Sequence, residues 1–105
     1  GPLVAIEAAP NAMADPLLRG LSVTNFHGHG SLYRVSPLEA SAHPLLVGTI
    51  EGKPSEPVAW THQYGPKAAP IFYTSLGHPD DFAEPAFRQL LLNAIAVAVK
   101  RPVAP

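Results

Sequence analysis

Apolar residues recur along this chain in short blocks closed by proline, glycine or asparagine, until one long amphipathic stretch near the end. Leu3-Val4-Ala5-Ile6-Glu7-Ala8, ended by Pro10-Asn11, reads as a strand. Asp15-Pro16-Leu17-Leu18-Arg19-Gly20 predicts one helical turn: Asp15 can accept from free N–H groups, Pro16 suits the first helical position and Gly20 the stop. Residues 23–26 read as extended. His27-Gly28-His29-Gly30 reads as loop, because two glycines weaken any regular element. Ser31-Leu32-Tyr33-Arg34-Val35 alternates as a strand does. Pro44-Leu45-Leu46-Val47-Gly48-Thr49-Ile50 is the continuous apolar run of a buried strand. Val58-Ala59-Trp60-Thr61-His62-Gln63-Tyr64 and Ile71-Phe72-Tyr73-Thr74-Ser75-Leu76 follow, joined by turns at 51–54 and 64–70. Connections this short predict an antiparallel meander.

The last element is a helix opened by Pro85. Asp80 or Asp81 is placed to cap a first turn ahead of it. Phe87, Leu90, Leu91, Ala94, Ile95 and Ala98 share one face at helical spacing, and Leu92, Ala96, Val97 and Val99 add apolar character elsewhere. Such a helix is expected to be buried on more than one side. Lys100-Arg101 complements its C-terminal dipole and Pro102 stops it.

Composition narrows the class. A chain of 105 residues is one domain or part of one. Hydrophobic residues at 47% argue for a packed core. Charged residues at 14% fall below the roughly 25% of an average domain, so part of the surface is expected to be covered, by another chain or by more of the same protein. Thirteen prolines keep the elements short. With a net charge of −1 and no basic run, nucleic acid is excluded as a partner. No apolar run is long enough to span a bilayer. No signal peptide is visible, since Gly1-Pro2-Leu3 lacks a charged start. Gly1-Pro2 has the form of a tag remnant, and the compartment is left open. The absence of cysteine excludes disulfides, thiolate metal sites and a cysteine nucleophile.

Two polar clusters carry candidate chemistry. His27-x-His29 places two imidazoles close together, but a metal needs a further ligand, and none is visible nearby. No metal is assigned. His78 with Asp80 and Asp81 follows a strand, where α/β proteins place ligand groups. A carboxylate can fix an imidazole's tautomer and suit it to acid–base work, while the same Pro79-Asp80-Asp81 is also good helix-start chemistry. Tyr33, Trp60, Tyr64 and Tyr73 offer stacking faces or cross-strand pairs. There is no G-x-S-x-G, no G-x-G-x-x-G and no phosphate loop, so no serine hydrolase and no cofactor is expected.

Three segments together resemble a known family. Glu56-Pro57-Val58-Ala59-Trp60-Thr61, then Phe72-Tyr73-Thr74-Ser75-Leu76-Gly77-His78-Pro79-Asp80-Asp81-Phe82, then Pro85-Ala86-Phe87-Arg88-Gln89-Leu90-Leu91-Leu92-Asn93-Ala94-Ile95 are similar to the closing segment of trehalose-utilisation (ThuA-like) domains. Ser31-Leu32-Tyr33-Arg34 resembles the family's tyrosine-bearing strand, and residues 15–21 its His-Pro turn, with Asp15 in place of histidine. Gly30-Ser31 stands where the family has Asp-Glu, and Lys67-Ala68-Ala69-Pro70 where it has Gly-Arg. The resemblance implies an α/β fold: the C-terminal portion of a flavodoxin-like, class I glutamine amidotransferase-like mixed sheet with helices on both faces. Residues 1–105 would then form one partial domain. It also implies a role in sugar utilisation, as a carbohydrate-binding or accessory unit and not as a glutaminase.

On that resemblance His78 and Asp81 become candidate catalytic residues, and Tyr33, Trp60, His29 and Asp80 candidate ligand contacts at the sheet's edge. The expected partners are a carbohydrate and either a second copy of the chain or a preceding N-terminal half. The alternative is a structural or oligomerisation module with no small-molecule site.

Overall fold

In the computed structural model, which describes residues 2–63 and 70–99, five strands form one sheet: β1 (Val4–Ala8), β2 (His27–Gly28), β3 (His43–Thr49), β4 (Glu56–Gln63) and β5 (Pro70–Thr74). They lie in the order β2-β1-β3-β4-β5, and every pairing is antiparallel. One helix, α1 (Pro85–Val99), follows, and 3₁₀ turns occupy Pro16–Leu18 and Pro79–Ala83. The protein is therefore mixed α/β, an antiparallel sheet with a C-terminal helix. The expected meander is β3-β4-β5. The mixed sheet with parallel strands is not found among the described residues. The chain between β3 and β4, and between β4 and β5, is too short for the crossover that a parallel pair requires.

The core sits on one face of the sheet. Val4 and Ile6 of β1 are buried while Ala5 and Glu7 are exposed, the period-two pattern of a half-covered strand. Ile6 pairs with Gly48, and Gly48 pairs with Glu56 across the next ladder. A Cβ on Gly48 would lie 2.6 Å from Val4 Cγ1, 2.9 Å from Val58 Cγ1 and 3.2 Å from Leu32 Cδ1. The neighbouring side chains thus fill the space that any larger residue would need. Leu45 and Leu46 are both buried although consecutive. Register irregularities on either side of Leu46 break the alternation that would otherwise expose one of them.

Helix α1 buries Ala86, Phe87 and Leu90, and Asn93 anchors it to the start of the chain. The Asn93 amide nitrogen donates to the carbonyls of Leu17 at 2.9 Å and Arg19 at 2.7 Å, while its oxygen accepts from Gln89 at 3.0 Å. Carbonyls at the end of the Pro16–Leu18 turn thereby find partners that the short turn cannot provide itself. At the turn's other end Asp15 accepts from the Leu17 amide at 2.9 Å, the cap expected of it.

Four expectations change. Residues 31–35 form no strand: the Val35 and Ser36 amides both donate to Glu56 Oε1 at 2.8 Å, so a carboxylate replaces the ladder. These bonds, Ser36 first, hold Glu56 below its ordinary value of 4.5. Residues 23–26 turn rather than extend, with Asn25 at φ 57°. His27-Gly28, expected as loop, pairs with Ala5 and Val4 at the sheet edge, where a glycine is tolerated. Among the described residues helix α1 is covered on one side only, and Leu92, Ile95 and Val99 stand 60%, 61% and 74% exposed. Ile95 and Ala98, expected on the buried face, are both outside it. Tyr64, the turn after it and the Lys100-Arg101-Pro102 stop lie outside the described residues.

Gly48→Ala is expected to destabilise the fold by about 1–3 kcal/mol, because the added methyl overlaps two packed valines. Urea unfolding would show a lower midpoint at unchanged slope. An unchanged midpoint would contradict the close packing at this position.

Candidate functional site

The end of β5 is tied down before the polar loop begins. Thr74 Oγ1 donates to the Val58 carbonyl at 2.7 Å and accepts from the Leu76 amide at 3.1 Å. Gly77 then takes φ +139°, a conformation that L side chains rarely adopt. His78 caps the Pro79–Ala83 turn, its Nδ1 accepting from the Asp80 amide at 3.1 Å. A neutral His78 therefore carries its proton on Nε2. The cap expected of Asp80 or Asp81 thus falls to His78, with Asp81 reaching back to it as in a capping box.

Asp81 is 1% exposed, and its carboxylate is fully used. Oδ2 accepts from the amides of Gly77 at 2.8 Å and His78 at 3.0 Å, while Oδ1 accepts from the amide of His29 at 2.7 Å. It binds the strand-end loop to the segment that follows β2. Proposed from sequence as a catalytic group, Asp81 has no access to a ligand, since three backbone donors and its burial close it off. Asp80, by contrast, is exposed and stands 3.9 Å from His78 Nδ1, outside the cleft described next.

Glu84 does a parallel task one turn on. Its Oε1 accepts from the His27 amide at 2.9 Å, and its Oε2 lies 3.3 Å from His29 Nε2. The His27 bond, with a smaller contribution from His29, lowers the Glu84 carboxyl below 4.5. An ionised carboxylate can only accept, so His29 carries a proton on Nε2. The imidazole is thus held in one tautomer and orientation.

These contacts shape a cleft of about 710 Å³ whose polar wall is His29, Ser31, Tyr33, Lys53, Ser75 and His78. Leu32, Ile50 and Leu76 supply its apolar part. Three sequence-selected residues, His29, Tyr33 and His78, are therefore brought together. Trp60 is not among them. It stacks on Tyr73 with ring centroids 5.9 Å apart and planes at 13°, a cross-strand pair beside Pro37 and Leu38. His62 lies there too, bonded to Ser41 Oγ at 2.6 Å and Glu39 Oε2 at 3.1 Å.

His27 and His29 do not converge: the His27 ring meets the Asn25 carbonyl at 3.2 Å, while His29 meets Glu84. Among the described residues no group of three or more His, Cys, Asp or Glu could hold a metal ion, and no helix is long and apolar enough to cross a membrane. Sequence reasoning missed Glu84 and Lys53. Glu84 acts on residues 55 and 57 positions away, and a local pattern carries no trace of so distant a contact. Lys53 stood inside a turn motif that accounted for it fully. Compared with known proteins, the chain matches no family model, no curated protein and no solved structure.

Asp81→Ala would leave three backbone donors without their charged acceptor, at a cost of about 3 kcal/mol or more. Hydrogen exchange should show the Gly77, His78 and His29 amides losing protection ahead of the rest. Uniform loss across the sheet would contradict a local role. Glu84 gives a pH prediction with a definite sign. Its folded pKa lies below its unfolded value, so its contribution is complete above about 4.5 and disappears as pH falls through the lowered value. Wild type should exceed Glu84→Gln in urea midpoint at neutral pH, with the gap narrowing as pH falls below about 4.5. A gap that does not change with pH in the acid range would rule this out.

Proposed function

We propose that this chain is the C-terminal portion of a ThuA-like domain and that the cleft beside the Gly77–His78 loop takes a carbohydrate. The observation that carries the reading is the convergence of His29, Tyr33 and His78, from separate parts of the chain, on one cleft. Hydroxyl, imidazole and ammonium groups beside a short apolar strip suit a saccharide, which presents many hydroxyls and small C–H patches. Tyr33, 58% exposed, offers a ring face for stacking. In this reading the antiparallel sheet is one edge of a larger flavodoxin-like, mixed sheet. The unit is a carbohydrate-binding or accessory one rather than a glutaminase, with His78 as the group available for proton transfer and Trp60 outside the site.

A second reading has its own observation. Leu92, Ile95 and Val99 form an exposed apolar stripe on α1, as a surface for a second copy or a preceding half-domain would. In this reading the chain is a structural or oligomerisation module.

Titration with a panel of mono- and disaccharides, followed by amide NMR, separates the two. The carbohydrate reading expects shifts confined to residues 29–33 and 75–78, and their loss in Tyr33→Ala. No shift with any sugar, together with a dimer in light scattering, would overturn it in favour of the second reading.

A further inference from the structure

Among the described residues, every ionisable side chain in the wall of the cleft is basic or neutral. The wall holds Lys53, His29 and His78 together with the hydroxyls of Ser31, Ser75 and Tyr33, and contains no aspartate or glutamate. This is a local property, because the chain as a whole carries a net charge of −1. The nearby acids are turned to other work. Asp81 is buried behind the loop with both oxygens on backbone amides. Glu84 is engaged by the His27 amide and the His29 ring. Asp80 is exposed to solvent beside His78 and does not line the cleft.

The basic character extends beyond the cleft. A second groove of about 590 Å³ shares Leu32 and Lys53 with it and adds Arg34. The acid in that groove, Glu56, accepts from the Val35 and Ser36 amides. Lys53 thus stands where two cavities meet, on an exposed turn whose ammonium group can reach a ligand in either.

From this distribution we infer that the ligand of the cleft is an anionic saccharide, a sugar bearing a phosphate ester or a carboxylate, with Lys53 as the residue that selects the charge. The inference rests on the carbohydrate reading and specifies its substrate class. The ammonium of Lys53 and the Nε2–H of His78 are donors suited to an oxyanion, the His29 N–H being held by Glu84. The sugar ring is left to Tyr33 and the serine hydroxyls. A neutral sugar would offer Lys53 only a hydroxyl acceptor, a weaker partner than an oxyanion.

The test is calorimetric and NMR titration of the full chain with glucose, glucose 6-phosphate, glucuronate, inorganic phosphate and acetate. The expected result is binding of glucose 6-phosphate or glucuronate about tenfold tighter than glucose, weakening several-fold as salt is raised. Lys53→Gln, on an exposed turn, should bring the affinities for glucose 6-phosphate and glucuronate to within about twofold of the variant's affinity for glucose. Which of the two acids binds tighter identifies the anion. Equal binding of glucose and its anionic forms would overturn the inference and leave the carbohydrate reading standing. Phosphate or acetate binding as tightly as the sugar that carries it would support the anion preference and overturn the carbohydrate reading. No binding of any probe would overturn both.

Discussion

The carboxylate of Asp81, buried beneath the loop that opens its own 3₁₀ turn, joins two parts of the chain that no strand pairing connects. Its two oxygens accept from Gly77 and His78 on one side and from His29 on the other. Burying an anion is unfavourable unless hydrogen bonds replace its hydration, and three backbone amides do that here. The amides gain as well, since a loop leaving a strand has no ladder to satisfy them. With this bridge in place, Gly77 can adopt its positive φ, His78 can cap the turn, and the segment after β2 is set against the end of β5. The positions of His29 and His78 in the cleft both follow from it.

Glu84 and Glu56 repeat the device elsewhere. Each carboxylate reaches across the structure to backbone amides: Glu84 to His27 in the two-residue edge strand β2, Glu56 to Val35 and Ser36 outside regular secondary structure. A chain with thirteen prolines loses many of the donors from which ladders and helices are built. Its long irregular segment at 29–42 is held by side chains instead. The same arrangement settles the charge of the cleft: the acids face backbone amides behind the wall, and the basic groups remain on its surface.

The strands β1, β3, β4 and β5 and the helix were legible because their apolar patterns are local and run over several residues. The cap at Asp15 and the turn it opens were legible for the same reason. What sequence could not supply was the outcome of long-range competition. Ser31-Leu32-Tyr33-Arg34-Val35 has a strand's alternation, but alternation gives no information about whether a carboxylate 20 residues away will take the amides first. The Leu45-Leu46 pair looked like one buried run, and only the register with β4 explains how both are covered. Asp81 was picked for its proximity to His78, and that proximity is real. The direction of its carboxylate, inward to three amides, is a property of the folded loop.

The helix shows how far composition can be carried. A low share of charged residues and an apolar periphery led to the expectation of burial on several sides, and Phe87 and Leu90 satisfy it on one. On the other, Leu92, Ile95 and Val99 remain in water. Side chains of this size contribute roughly 1.5–3 kcal/mol each when fully buried, so three together are a substantial unused stabilisation. The docked face is defined by more than hydrophobicity. Asn93, the polar residue in the middle of α1, bonds to Leu17 and Arg19, and this pair of hydrogen bonds picks one orientation out of several apolar ones. A helix with apolar residues nearly all round could otherwise rotate at little cost. Asn93 therefore determines which stripe meets the core and, by the same rotation, which stripe is left outside.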